Sequence, residues 1–215
     1  QIRTGFFDPE NVRARRLDTS HYLQGVAWQR AEMLQAATAQ RLLRNIIELY
    51  EDDSLDNLQE RLVELVNYFS TQYPGKKDMV VVQQLKGRQR EWEADLKWAS
   101  FGFTGEAVRH LRLAFYKGDI FTEIPKIDRD VPPVLALLSE VNPDILTVAF
   151  DPEGSGPDTH YKVLQAVSAA LRAYEEQTGR SDVQVLGYRN VWYRFHASEA
   201  NLYVPTSRTH MDDIE

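Results

Sequence analysis

Asp151, Glu153, Asp158 and His160 bring three carboxylates and an imidazole into ten consecutive residues, on a stretch that Pro152, Gly154, Gly156 and Pro157 hold in an irregular path. Oxygen and imidazole donors at that density can hold a divalent metal. With no Cys in the chain, any metal must rest on His, Asp and Glu. The same residues also fit a plainer role, with Asp158 as an N-cap, Asp151 and Glu153 as solvated loop acids and His160 on the first turn of a surface helix. A second cluster, Gly187 to His196, sets Tyr188, Trp192, Tyr193 and Phe195 around Arg189 and Arg194. Aromatic faces beside guanidinium forks can bind a sugar ring or a phosphate, and Arg189 and Trp192 are the substrate-binding candidates. An edge strand with alternating faces accounts for the same pattern without a ligand. On such a strand Arg189 and Arg194 point to opposite faces, so one of them at most addresses a pocket beside the 151–160 loop. Arg189 follows directly on the apolar run Val183 to Tyr188 and is the better placed.

Other charged and imidazole groups read as structural. Lys86, Arg88, Arg90 and Glu91 to Glu93 form a charge run on a helical face, where ion pairs one turn apart are the common outcome. His21, His110 and His210 have no partner set nearby in the sequence. Nothing matches a phosphate loop, a dinucleotide glycine fingerprint or a Gly-x-Ser-x-Gly nucleophile elbow.

The elements that must position these groups follow from periodicity. Leu23, Val26, Ala27, Leu34, Ala37, Ile46 and Leu49 predict one long amphipathic helix from about Ser20 to Tyr50. Ser54 caps a second, with the stripe Leu55, Leu58, Leu62, Leu65 and Phe69, ended by Pro74-Gly75. A third starts near Asp78, carries Val82, Leu85, Trp92 and Leu96, and stops at Gly102. Beyond Gly105 the pattern changes. Val108 to Leu113, Ile145 to Phe150, Val183 to Leu186 and Val191 to Phe195 read as strands. Between them, Asp130-Val-Pro-Pro opens a helix with its prolines in the first turn and its end at Asn142-Pro143, and another helix runs from about Thr159 to Thr178 with Gly179 as its stop. This order predicts an α/β fold, a largely parallel sheet with crossover helices, preceded by a helical N-terminal segment. The division expected is residues 1–75 helical, 76–207 α/β and 208–215 a tail. In open α/β sheets ligands sit beyond the carboxyl ends of the strands, and there the 151–160 loop falls, with Ile145 to Phe150 as a central strand.

At 215 residues, with 43% hydrophobic and 27% charged residues, the chain holds one substantial core with a helical appendage. Its net charge of −7 argues against a nucleic-acid binder, and no apolar run is long enough for a membrane span. Absence of Cys and of a leader pattern at Gln1 suggests the cytoplasm. A start without Met suggests a piece of a longer chain, and the long stripes of the first two helices suggest an oligomerisation arm.

The segment Asp151-Pro-Glu-Gly-Ser-Gly-Pro-Asp-Thr-His160-Tyr-Lys-Val resembles the second metal motif of the PIG-L (LmbE-like) zinc deacetylase family. Leu85-Lys-Gly-Arg-Gln-Arg-Glu-Trp-Glu-Ala-Asp-Leu resembles the family's helix with an Arg-x-x-Glu pattern, here Arg90 and Glu93. Leu111-Arg-Leu-Ala-Phe-Tyr-Lys-Gly-Asp119 resembles the strand and turn after it, and Gly187 to Phe195 is similar to a phrase in versions fused to glucosamine-6-phosphate deaminase-like domains. Together these cover about Tyr73 to Pro205. The resemblance implies that His160 is a zinc ligand and that the reaction is hydrolysis of an N-acetyl group on an amino sugar or sugar phosphate, with a deaminase-like partner domain. Two departures accompany it. The family's first motif, His-Pro-Asp-Asp, which supplies two ligands and the general base, is not in this chain, and Pro157 stands where a further His usually lies. The chain by itself is therefore expected to be catalytically incomplete, and a non-catalytic sugar-phosphate-binding or assembly module is the alternative.

Overall fold

The computed structural model describes residues 11, 16–52, 54–103, 105–115, 122–154, 156–189, 194–205 and 207. The chain divides into two units, Gln1–His110 and Leu111–Glu215.

The first unit is helical. Its elements are α1 (Leu17–Ala27), α2 (Ala31–Tyr50), α3 (Leu55–Ser70), α4 (Val80–Ser100) and a 3-10 turn at Gly105–Ala107. Ile46, Leu58, Leu65, Val82 and Leu85 form the core between α2, α3 and α4, each from the apolar stripe of its own helix. Ser54 caps α3 as expected, its hydroxyl accepting from the Asn57 amide at 3.2 Å. A buried ionic knot joins α1 to α2. Asp18 is fully buried, 2.7 Å from Arg41 Nε and 3.6 Å from Arg44 Nη1, and Arg41 lies over the Trp92 ring of α4.

The second unit holds α5 (Ile127–Val141), β1 (Ile145–Ala149), α6 (Asp158–Thr178) and β2 (Gln184–Tyr188). β1 and β2 pair in parallel, from Ile145 opposite Gln184 to Ala149 opposite Tyr188. Val131, Val134 and Leu138 on α5 meet Ala170 and Tyr174 on α6 and Val183 before β2. At the amino-terminal end of the strands, Arg180 reaches Asn142, Asp144 and Asp182, and the Tyr174 hydroxyl donates to Asn142. Asn142 ends α5 in left-handed backbone, φ 48°. Among the described residues no helix is long and apolar enough to cross a membrane.

Several expectations need correction. The single helix over residues 20–50 is two, because Gln29 takes left-handed backbone (φ 53°) and Arg30 N–H donates to Gly25 O at 2.8 Å, a Schellman turn without its usual glycine. Gly25 lets the hairpin close, since a Cβ there would stand 2.8 Å from the Leu34 side chain. Val108 to Leu113 is not a strand. Arg112 is left-handed (φ 47°), and Leu111 and Leu113 pack on the second core from an irregular segment. α5 begins at Ile127 and not at Asp130, so Pro132 and Pro133 lie inside it, beyond the first turn. Asp130 is buried and accepts the Lys126 amide at 2.8 Å and the Arg129 guanidinium, which holds its carboxyl below the usual range. The sheet is smaller than expected. Among the described residues it has two strands, β1 and β2. Of Val191 to Phe195, residues 191–193 lie outside the described residues, and Arg194 and Phe195 have no regular structure. The two compact units divide at His110, with Val82 and Leu85 of α4 in the first core.

Gly187 is fixed by packing. A Cβ there would come within 2.8 Å of the Phe150 Cβ and 2.9 Å of its Cγ, just past the end of β1. Gly187→Val should therefore destabilise the second unit by about 1–3 kcal/mol, read as a shift in denaturant midpoint. An unchanged midpoint would show that Phe150 swings away without cost.

Candidate functional site

The carboxyl ends of β1 and β2 and the first turn of α6 meet at one cleft, lined by Ala149, Phe150, Asp151, Gly156, His160, Tyr188 and Arg189. The strand pairing continues one bond beyond β1, with Phe150 N–H donating to Tyr188 O at 2.8 Å, and then the chain leaves the sheet. Gly154 N–H closes a turn onto Asp151 O at 3.2 Å, and Gly154 itself is left-handed (φ 62°).

Asp151 is buried, and its Oδ2 accepts the Gly156 amide at 2.6 Å. A Cβ on Gly156 would stand 2.9 Å from that oxygen and 4.0 Å from His160 Nδ1. Gly156 thus leaves room for carboxylate and imidazole on its one side. His160 sits in the first turn of α6, its amide donating to Pro157 O at 2.9 Å. The helix start that the loop's sequence implied is found one residue early, at Asp158.

Asp158 does not cap α6. Pro157 occupies the N-cap position, and the Asp158 carboxylate instead accepts from Lys162 Nζ at 2.5 Å and from the Thr122 hydroxyl. Lys162 and then Thr122 hold that carboxyl below its ordinary range, so it stays ionised. Lys162 is buried and also donates to Thr122 O. Glu153 is an exposed loop acid, as the plain reading held, with one partner that the sequence could not show. Its Oε2 accepts from Arg189 Nη2 at 2.8 Å.

Arg189 stands where the strand argument put it, past β2 and on the cleft. Phe195 lies under its guanidinium, 4.9 Å from ring centroid to Cζ. Its Nε is buried and has no hydrogen-bond partner among the described residues. Trp192 lies outside the described residues. The remaining histidines have structural partners, His21 with Gln40, His110 with Asp95 and His196 with Ser198, while His210 is not among the described residues. Arg90 and Glu93 form an exposed helical pair at 3.3 Å, and Arg88 ties α4 to Glu48 of α2.

The enclosed part of the cleft is about 10 Å³, room for roughly one water, and the rest is open to solvent. Among the described residues no three His, Asp or Glu side chains converge. Asp158 pairs with Lys162 and Glu153 with Arg189, and His160 and Asp151 line the same cleft. A catalytic zinc takes three protein ligands and a water, and His160 and Asp151 are of the donor types such a set uses. No family model, curated protein or solved structure matches the chain.

Proposed function

We propose that this chain is the C-terminal part of a zinc-dependent amino-sugar N-deacetylase-like domain, of the kind joined to glucosamine-6-phosphate deaminase-like proteins. On this reading β1 and β2 belong to a larger parallel sheet, and His160 is the one zinc ligand contributed from these residues. The observation that carries it is the common cleft of His160, Asp151 and Arg189 at the carboxyl ends of two parallel strands. When bound, zinc would supply a water acidified towards neutrality. Asp151 would face it beside His160, and Arg189 would hold the sugar's anionic substituent. The remaining ligands and the general base must come from elsewhere.

The test is calorimetric. The chain, freed of metal, should bind zinc weakly, lose at least about tenfold in affinity on His160→Ala, and release no acetate from N-acetylglucosamine 6-phosphate. Zinc affinity unchanged in His160→Ala would remove His160 as a ligand. Tight, stoichiometric zinc would show that further ligands are at hand.

A second reading, a non-catalytic module that binds a sugar phosphate or docks a partner domain or second copy, is favoured by Pro157 at the place of the family's extra His and by Arg189 braced on Phe195.

A further inference from the structure

Arg189 has two unequal halves. Its Nη2 is held by Glu153, a carboxylate whose side chain is 62% exposed, while the guanidinium's own side chain is 15% exposed. Its Nε, buried and without a partner among the described residues, is a donor whose satisfaction would recover a desolvation penalty. Phe195 covers the ring-like face and fixes the plane of the fork. A phosphate can take Nε and Nη2 together as a bidentate pair, whereas Glu153 takes Nη2 alone. The cleft is open to solvent, so an anion can reach the fork from outside. Glu153 is the loop's anchor on β2's end, flanked by Pro152 and left-handed Gly154.

Resting on the reading of Arg189 as the anion-binding side chain of this cleft, we propose that Glu153 is a built-in competitor for it. The carboxylate occupies one arm of the fork, and a phosphate-bearing ligand displaces it. An exposed acid costs little to return to water, so the ion pair is an exchangeable one and not a fixed part of the fold. It holds the guanidinium in its binding pose, at the expense of affinity, until a ligand with two suitable oxygens arrives.

Inorganic phosphate is the probe, titrated by calorimetry at fixed low salt against the whole chain, with circular dichroism to confirm folding. Glu153→Gln should bind phosphate about three- to fivefold more tightly than wild type, the size of effect that a partly exposed ion pair supports. Arg189→Ala should abolish binding in either background. Glu176→Gln, an exposed acid on α6, removes the same charge elsewhere and should change nothing. Equal affinity in wild type and Glu153→Gln, with Arg189→Ala still abolishing binding, overturns the competitor and leaves the anion site standing. Binding that survives Arg189→Ala overturns the anion site itself, as does no binding by wild type and Glu153→Gln alike. A gain in Glu176→Gln equal to that in Glu153→Gln makes the effect one of net charge and also overturns the proposal.

Discussion

Replacing Asp18 with Ala lowers the unfolding free energy of the helical unit by about 3–5 kcal/mol. The carboxylate is fully buried, and the two arginines around it are 16% and 13% exposed, so its removal leaves two cations close together in a site from which water is largely excluded. Burial pulls the Arg41 guanidinium down from its ordinary range, and Asp18 is the foremost of the carboxylates that oppose that pull, ahead of Glu48 and Asp95. The loss spreads beyond one contact, because Arg41 also lies over Trp92, whose indole N–H donates to Thr19 of α1 at 3.0 Å. Asp18→Asn keeps the shape and a carbonyl for the Thr19 amide but not the charge, and should cost less than Ala. Urea unfolding of the Trp192→Phe background, followed by tryptophan emission, reads the unit, since the other three tryptophans, Trp28, Trp92 and Trp98, lie within it. A midpoint within experimental error of wild type would show that the knot is not what holds α1 down.

Tyr174→Ala should cost the second unit a comparable amount, about 3–5 kcal/mol. The ring is 1% exposed among Val131, Val134, Leu138, Ala170 and Val183, so its removal empties the centre of the core that joins α5, α6 and the strands. The hydroxyl contributes separately, donating to Asn142 Oδ1 at 2.5 Å. Tyr174→Phe divides the two effects. It keeps the packing, and Asn142 Oδ1 still accepts from Arg180 at 2.8 Å, so the cost should be only about 1 kcal/mol. Thermal unfolding of the three proteins by circular dichroism makes the comparison. A Phe variant as unstable as the Ala variant would mean that the hydrogen bond, and not the ring, organises this end of the unit.

What could be read from residues alone divides along physical lines. α6, β1 and β2 fall within two residues of their expected bounds, because an amphipathic stripe ended by Gly179 and short β-rich runs between turn residues are local signals. The break at Gln29 left no such signal. A glutamine in left-handed backbone is not a punctuation residue, and the apolar period of α1 runs on into α2 across it. Val108 to Leu113 failed for the opposite reason. Alternating leucines need only one buried side, and an irregular segment lying on a core provides that as well as a ladder does. At the site, the strand-end rule located His160 and Arg189, which are set by topology. It could not show that Glu153 bonds Arg189, thirty-six positions away, or that Asp158 turns from the helix end to Lys162. Side-chain partners across a loop are decided by the fold, after the pattern has done its work.

The two ends of the strand pair are built to open at different free energies. At the amino-terminal end, Arg180 binds Asn142, Asp144 and Asp182, and Asn142 in turn holds Tyr174 from the core, so loosening any one of them strains the rest. At the other end, the tie between the loop and β2 is an exposed carboxylate on one arginine, while Asp158 and Lys162 hold the start of α6 to Thr122. The exposed pair is the one expected to open first, because local opening starts where few buried contacts hold the chain. The clamp grips α6 through Tyr174, near its carboxyl end, whereas His160 sits in its first turn, on the side of the unit where the cleft opens.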